Sequence, residues 1–143
     1  MGQFEGRIAV VTGAAAGLGA AIVNVASNVG RRGLPFRADY VCSKWVVIGL
    51  TQTLALELVD DGVRVNAVCP GPITGDRIEQ VMGMHTDAEG KNLERVRAEW
   101  EAVPMGRFVE PSEVAGMIAF LAGDDASFMT GQSLTATDGF IMT

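Results

Sequence analysis

The sequence predicts an α/β domain built on a mainly parallel sheet. Short runs rich in β-branched residues alternate with longer helical stretches, the pattern of strands joined by crossover helices. The first such run opens into a glycine-rich turn. Glycine fills 18 of the 143 positions, about one in eight against a usual share of about 7%, and these glycines are clustered.

The elements follow in order. R-I-A-V-V from Arg7 to Val11 reads as a buried parallel strand entering the turn T-G-A-A-A-G-L-G, Thr12 to Gly19. A-I-V-N-V-A-S from Ala21 to Ser27 is a second strand, followed by a loop beginning N-V-G-R-R-G-L-P. From Asp39 to about Val59 there is no proline, and apolar residues recur around the wheel, so a helix covered on more than one face is expected. A sheet covers only one of those faces. D-D-G stops the helix, Val63–Val68 is a third strand and C-P-G-P turns the chain. Asp76 to Val103 is polar and helical, interrupted by H-T-D-A-E-G. Pro111–Ala122 is an amphipathic helix with proline in its first turn and Glu113 at its positive end. Ser133–Thr137 forms a last strand. No repeat or low-complexity linker divides the chain, so residues 1–143 read as a single domain.

Composition excludes several function classes. With 48% apolar and 20% charged residues the chain is globular rather than disordered. Seventeen acids against eleven bases give a net charge of −6, which repels phosphate backbones and anionic lipid alike, so neither nucleic acid nor membrane is an expected partner. Glu5 and Arg7 break any signal-like stretch, and the longest apolar run, Trp45–Leu50, is far too short to span a bilayer. A soluble cytoplasmic protein is the expectation. Cys42, Cys69 and the single His85 are too few and scattered for a zinc site or a disulfide framework. The two cysteines read as buried small hydrophobes.

Two constellations carry chemistry. Gly13, Gly17 and Gly19 follow a strand, where glycines let backbone N–H groups approach a pyrophosphate; the same glycines also serve a purely structural turn. Tyr40 and Lys44 stand at i and i+4 of one helix and so share a face. An ammonium beside a phenol favours its ionised form, making Tyr40 able to exchange a proton with a substrate hydroxyl or carbonyl. Ser27, thirteen residues before Tyr40, is placed to hold that oxygen. The bland reading makes Tyr40 a core residue, Lys44 its solvated neighbour and Ser27 a loop cap.

Together with N-A-V-C-P-G-P-I (Asn66–Ile73), M-T-G-Q (Met129–Gln132) and Asp138-Gly139, these motifs stand in the order of the short-chain dehydrogenase/reductase family, which the chain resembles over nearly its whole length. The resemblance implies a Rossmann-like, doubly wound fold and NAD(P)-dependent hydride transfer between nicotinamide and a small alcohol or ketone. It implies Ser27, Tyr40 and Lys44 as catalytic residues, with Tyr40 and Lys44 also at the nicotinamide ribose. Thr12, Gly13, Gly17, Leu18 and Gly19 match the phosphate loop, and Pro70, Gly71 and Ile73 the nicotinamide cradle. A homo-oligomer, dimer or tetramer, is implied as well.

Departures qualify this. The family's P-G-x-I-x-T ends here in Gly75, with Thr74 one place early. Ala16 stands where NADP-preferring members carry a base, which mildly favours NAD. Asn66 is expected to serve backbone hydrogen bonding, Arg31 and Arg32 to be solvated, and His85, Met82, Met84 and Trp100 to lie in a lid or a surface loop. The largest departure is an apparent gap of about 110 residues between Gly19 and Ile22, which leaves the doubly wound pattern incomplete. The helix after the glycine loop, the acid for the adenosine ribose, the N-N-A-G segment, the catalytic asparagine and the long interface helix are all missing. Nine residues separate Thr12 from Ile22, fewer than the dozen or so that a parallel crossover needs. Three explanations stand: residues omitted from the sequence, a deletion in the gene or transcript, or a chain refolded into something smaller. If the deletion is real, the alternative is an inactive fragment that has lost dinucleotide binding and contacts a partner through its surviving helix.

Overall fold

The computed structural model describes residues 10–15, 19–90 and 92–142, and side chains from position 20 on, apart from those of 85 and 87–89. It is an α/β domain with one four-stranded sheet in the order β1-β2-β3-β4, where β1 is Val10–Ala15, β2 Gly19–Val25, β3 Arg64–Pro70 and β4 Ser133–Ala136. The last three strands are parallel, with Val25 level with Val68 and Cys69 level with Thr135. That register brings the C-terminal ends of β2, β3 and β4 to one edge of the sheet.

The expected first parallel strand and glycine turn are replaced. β1 runs on through Thr12 and Gly13 to Ala15 and pairs antiparallel with β2, Thr12 opposite Ile22 and Ala15 opposite Gly19. Connection length decides this. So short a link cannot carry a crossover, but it can close a hairpin. β2 is continuous from Gly19 through Ile22, so the apparent gap falls inside a single strand.

Helix α1, Ala38–Glu57, lies on one face of the sheet and buries Val47, Thr51 and Ala55, an i, i+4, i+8 stripe. The expected cover on further faces is not provided by the described residues: Trp45, Val46, Leu50 and Leu56 stay exposed. Cys42 is exposed too, contrary to expectation, because five residues before Val47 puts it about 140° around the helix from the stripe. On the other face, α4 (Pro111–Ala122) packs Val114 and Leu121 against Val23 and Val68. α2 (Asp76–Glu89) and α3 (Leu93–Glu101) form a satellite core of Met82, Val96, Phe108 and Trp100. The chain breaks between them at left-handed Gly90. Met82 and Trp100 are therefore packing residues, and the His85 side chain lies outside those described.

Buried polar groups fasten the sheet to its connections. Asn66 donates to the Met129 carbonyl at 2.7 Å and accepts from the Gln132 N–H at 3.0 Å, tying β3 to the segment that feeds β4. Arg64 donates to the carbonyls of Leu121, Ala122 and Gly123 at the end of α4, where cations suit the helix dipole. At the start of α4, Glu113 accepts from the Glu110 N–H and is gripped by two nitrogens of Arg107. The Arg107 contact, then the Glu110 N–H, hold the Glu113 carboxyl down at about 2. Its stabilising effect is complete above the ordinary pKa of about 4.3 and is lost as pH falls through about 2. Thermal unfolding followed from pH 5 to pH 2 should show a falling midpoint, with a shallower slope in Glu113→Gln.

Candidate functional site

Three sequence signals meet at the sheet edge where β2 ends. Ser27 caps a one-turn helix, Asn28–Gly30, by accepting from the Val29 N–H at 3.4 Å, and its hydroxyl donates to Asn28 Oδ1 at 3.2 Å. The turn then lies against α1. A Cβ on Gly30 would sit 2.8 Å from the Lys44 carbonyl oxygen, so only glycine permits this approach. Lys44, half-buried, reaches back to donate from Nζ to the Val25 carbonyl at 3.3 Å, and its ammonium lies 5.7 Å from the centre of the Tyr40 ring. Ser27 and Lys44 are thus both fixed to the last residues of β2, and Tyr40 stands one helical turn before Lys44.

The surroundings set the charges. Burial pushes the Lys44 amine below its ordinary value, opposed by Cys69. Burial pushes the Cys69 thiol up, opposed by Arg31, by the Ser27 N–H donating to sulfur and by Lys44. Cys69 is buried, as expected. Arg37 stacks on the Tyr40 ring at 5.1 Å and Arg32 on Phe140 at 4.3 Å. Arg32 is not the solvated residue expected: its Nε is buried and unpartnered.

The segment expected to cradle a nicotinamide follows β3. Pro70 closes that strand, the Gly71 N–H donates to the Ala136 carbonyl at 2.8 Å, and Ile73 bridges Val109 while packing on the main core. Thr74 donates its hydroxyl to Glu110 at 2.8 Å, which accounts for its displaced position in the motif: it serves α4. Beside Gly71 lies Asp138, a residue that motif reading treated only as an end marker. Its backbone is left-handed with φ 49, both carboxylate oxygens are buried without a partner, and burial pushes its carboxyl up despite Arg107.

The phosphate-loop assignments fare differently. Thr12 and Gly13 are strand residues of β1 and Gly19 opens β2, while Ala16, Gly17 and Leu18 lie outside the described residues. Among the described residues on either side, β1 and β2 pair antiparallel, and neither is part of a helix whose N-terminus could face a pyrophosphate. The structure sets Lys44 against the end of β2, the Gly30 turn and the Tyr40 ring, and takes Thr12, Gly13 and Gly19 into the β1–β2 ladder.

Residues 5–141 match the family described as enoyl-(acyl carrier protein) reductase. A 3-oxoacyl-(acyl-carrier-protein) reductase of Staphylococcus epidermidis is 40% identical over 122 residues, 85% of this chain and 46% of that protein. The chain is a member of the short-chain dehydrogenase/reductase family. Among solved members, an actinorhodin polyketide ketoreductase with NADPH is 41% identical with a TM-score of 0.78 over 83% of this chain and 46% of that one. An NAD+-bound xylitol dehydrogenase is 38% identical, also with a TM-score of 0.78, over 81% and 47%. This family member spans about half the length of the relatives it matches.

Cofactor fit divides along the same line as the fold. At the nicotinamide end, Lys44 and Tyr40 face the segment after β2, and the unpartnered Asp138 carboxylate beside Gly71 suits a group with N–H donors such as a carboxamide. At the pyrophosphate end, the described residues Thr12, Gly13 and Gly19 are taken up in the β1–β2 ladder.

Gly30 is the point on which this geometry turns. Gly30→Ala should lower stability by about 1–3 kcal/mol, read as a reduced urea midpoint, because the new methyl meets the Lys44 carbonyl of the helix backbone as well as the Ile48 side chain, and the backbone cannot swing away.

Proposed function

We propose that this chain is an NAD(P)-dependent oxidoreductase acting on a small alcohol or ketone, with Ser27, Tyr40 and Lys44 as its reacting residues. The observation that carries the reading is Lys44, whose amine is anchored on the Val25 carbonyl while its charge faces the Tyr40 ring. Relatives with NADPH and with NAD+ bound support either cofactor. The nicotinamide supplies or accepts the hydride when bound. Tyr40 and Lys44 would hold its ribose, and Pro70, Gly71 and Ile73 its ring.

The protein's own part is proton transfer and positioning. Ser27 turns its hydroxyl from Asn28 to the substrate oxygen, and Tyr40 gives or takes a proton at that oxygen. Lys44 keeps a positive charge beside the ring while its anchor on β2 fixes its side chain. Thr12, Gly13, Gly17, Leu18 and Gly19 would serve the phosphates only if the hairpin opened, at the cost of its ladder. Two unpaired cysteines suit a reducing compartment such as the cytoplasm. The exposed Trp45, Val46, Leu50 and Leu56 suit a homo-oligomer.

One observation favours a second reading, an inactive fragment without dinucleotide binding: an antiparallel pairing stands where a parallel strand and a glycine turn were expected. Turnover separates the two. Reduction of ketones by the purified chain, followed by nicotinamide absorbance, should fall by about 100- to 10,000-fold in Tyr40→Phe with the unfolding midpoint unchanged. Full turnover in that variant removes Tyr40 from the mechanism, and no turnover or cofactor binding in the unmodified chain supports the fragment.

A further inference from the structure

The segment joining Ser27 to Tyr40 has a charge that the rest of the chain does not predict. From Asn28 to Ala38 it reads N-V-G-R-R-G-L-P-F-R-A, three arginines and no acid, in a protein with a net charge of −6. Among the described residues elsewhere, Arg95, Arg97 and Arg107 pair with glutamates, and Arg64 caps α4. Among the described residues, none of Arg31, Arg32 and Arg37 forms an ion pair with an acid. Arg31 spends one nitrogen on the Ser133 carbonyl at 2.9 Å and is otherwise exposed. Arg37 lies on the ring of Tyr40, and Arg32 lies on the ring of Phe140 with a buried, unpartnered Nε.

A guanidinium held on an aromatic face keeps its in-plane N–H donors free, and those donors match the two oxygens of a carboxylate or a phosphate. A partly buried cation without a counter-ion is unfavourable alone, and burial already pushes Arg32 below its ordinary value. An arriving anion relieves that cost. We propose that Arg32 and Arg37, with Arg31 beside them, bind an anionic group, a carboxylate or phosphate, on the substrate whose carbonyl or hydroxyl meets Ser27 and Tyr40. This rests on the reading of those two residues as the reacting pair, and it narrows the substrate class to oxo or hydroxy compounds carrying an acid. The Arg37 guanidinium carbon lies 5.1 Å from the centre of the Tyr40 ring, so an acid held there sits beside that residue.

The test compares ligands that differ only in charge. Binding of acetoacetate and of methyl acetoacetate is measured by calorimetry on the purified chain, and likewise dihydroxyacetone phosphate against dihydroxyacetone. The acid should bind about tenfold or more tightly than its neutral analogue, and the better of the two pairs tells carboxylate from phosphate. The advantage should shrink in high salt, which screens exposed charge, and should disappear in the Arg32→Ala, Arg37→Ala double variant. Equal binding of acid and neutral analogue, in both pairs, overturns the proposal without any variant having to fold. So does an advantage that survives the double substitution. Turnover of the same four compounds with NADH and with NADPH separates the two levels of inference. Reduction of neutral ketones without preference for acids keeps the oxidoreductase and removes the anion site. Selective acid binding without turnover keeps the anion site and removes the oxidoreductase.

Discussion

Gly30 rests on the backbone of α1 so closely that the absent Cβ sets how the turn after β2 and the helix can meet. Everything at the site depends on that approach. It brings the start of the turn, Ser27, and the start of the helix, Tyr40, to the same edge, and it leaves Lys44 within reach of the Val25 carbonyl. The result is a small polar assembly in which Lys44 is fastened to the backbone of β2.

The parallel register of β2, β3 and β4 does the rest of the positioning. Because the three strands end together, the segments that follow them meet on one side, the usual place for a ligand in an open α/β sheet. Asn66 and Arg64 hold that register from within, by side-chain bonds to the segments before β4 and after α4. Asp138, two residues past β4, stands in a left-handed turn with its carboxylate buried and unmatched, a cost that ordinary packing would not retain.

Much of this was legible in the residues because it is local. Pro111 and Glu113 mark the start of α4 by cap chemistry, and the C-P-G-P run marks where β3 must turn. The i, i+4 spacing of Tyr40 and Lys44 alone puts them on one face. The direction of β1 was not legible, because a strand's partner is set by the length of the connection and by what else is available to pair with. The glycine motif favoured a turn, yet glycine and alanine sit equally well in a ladder when the chain doubles back. Burial of Arg32 against Phe140 joins residues far apart in the chain, and no local pattern announces it. Likewise Met82 and Trp100 suggested a lid by their position, whereas the packing of α2 on α3 made them core.

On the proposed function, Ser27, Tyr40 and Lys44 serve hydride transfer, while the β1–β2 pairing takes Thr12, Gly13 and Gly19 into a ladder. Reduced nicotinamide mononucleotide and NADH share the dihydronicotinamide and its ribose, and differ by the adenosine half. Titrating the purified chain with each, by dihydronicotinamide fluorescence, measures what that half contributes. Dissociation constants that agree within about threefold, a difference under 1 kcal/mol, are the expected result. Binding of NADH tighter by about a hundredfold would contradict the account, since it would require a pyrophosphate cradle that the β1–β2 pairing does not provide.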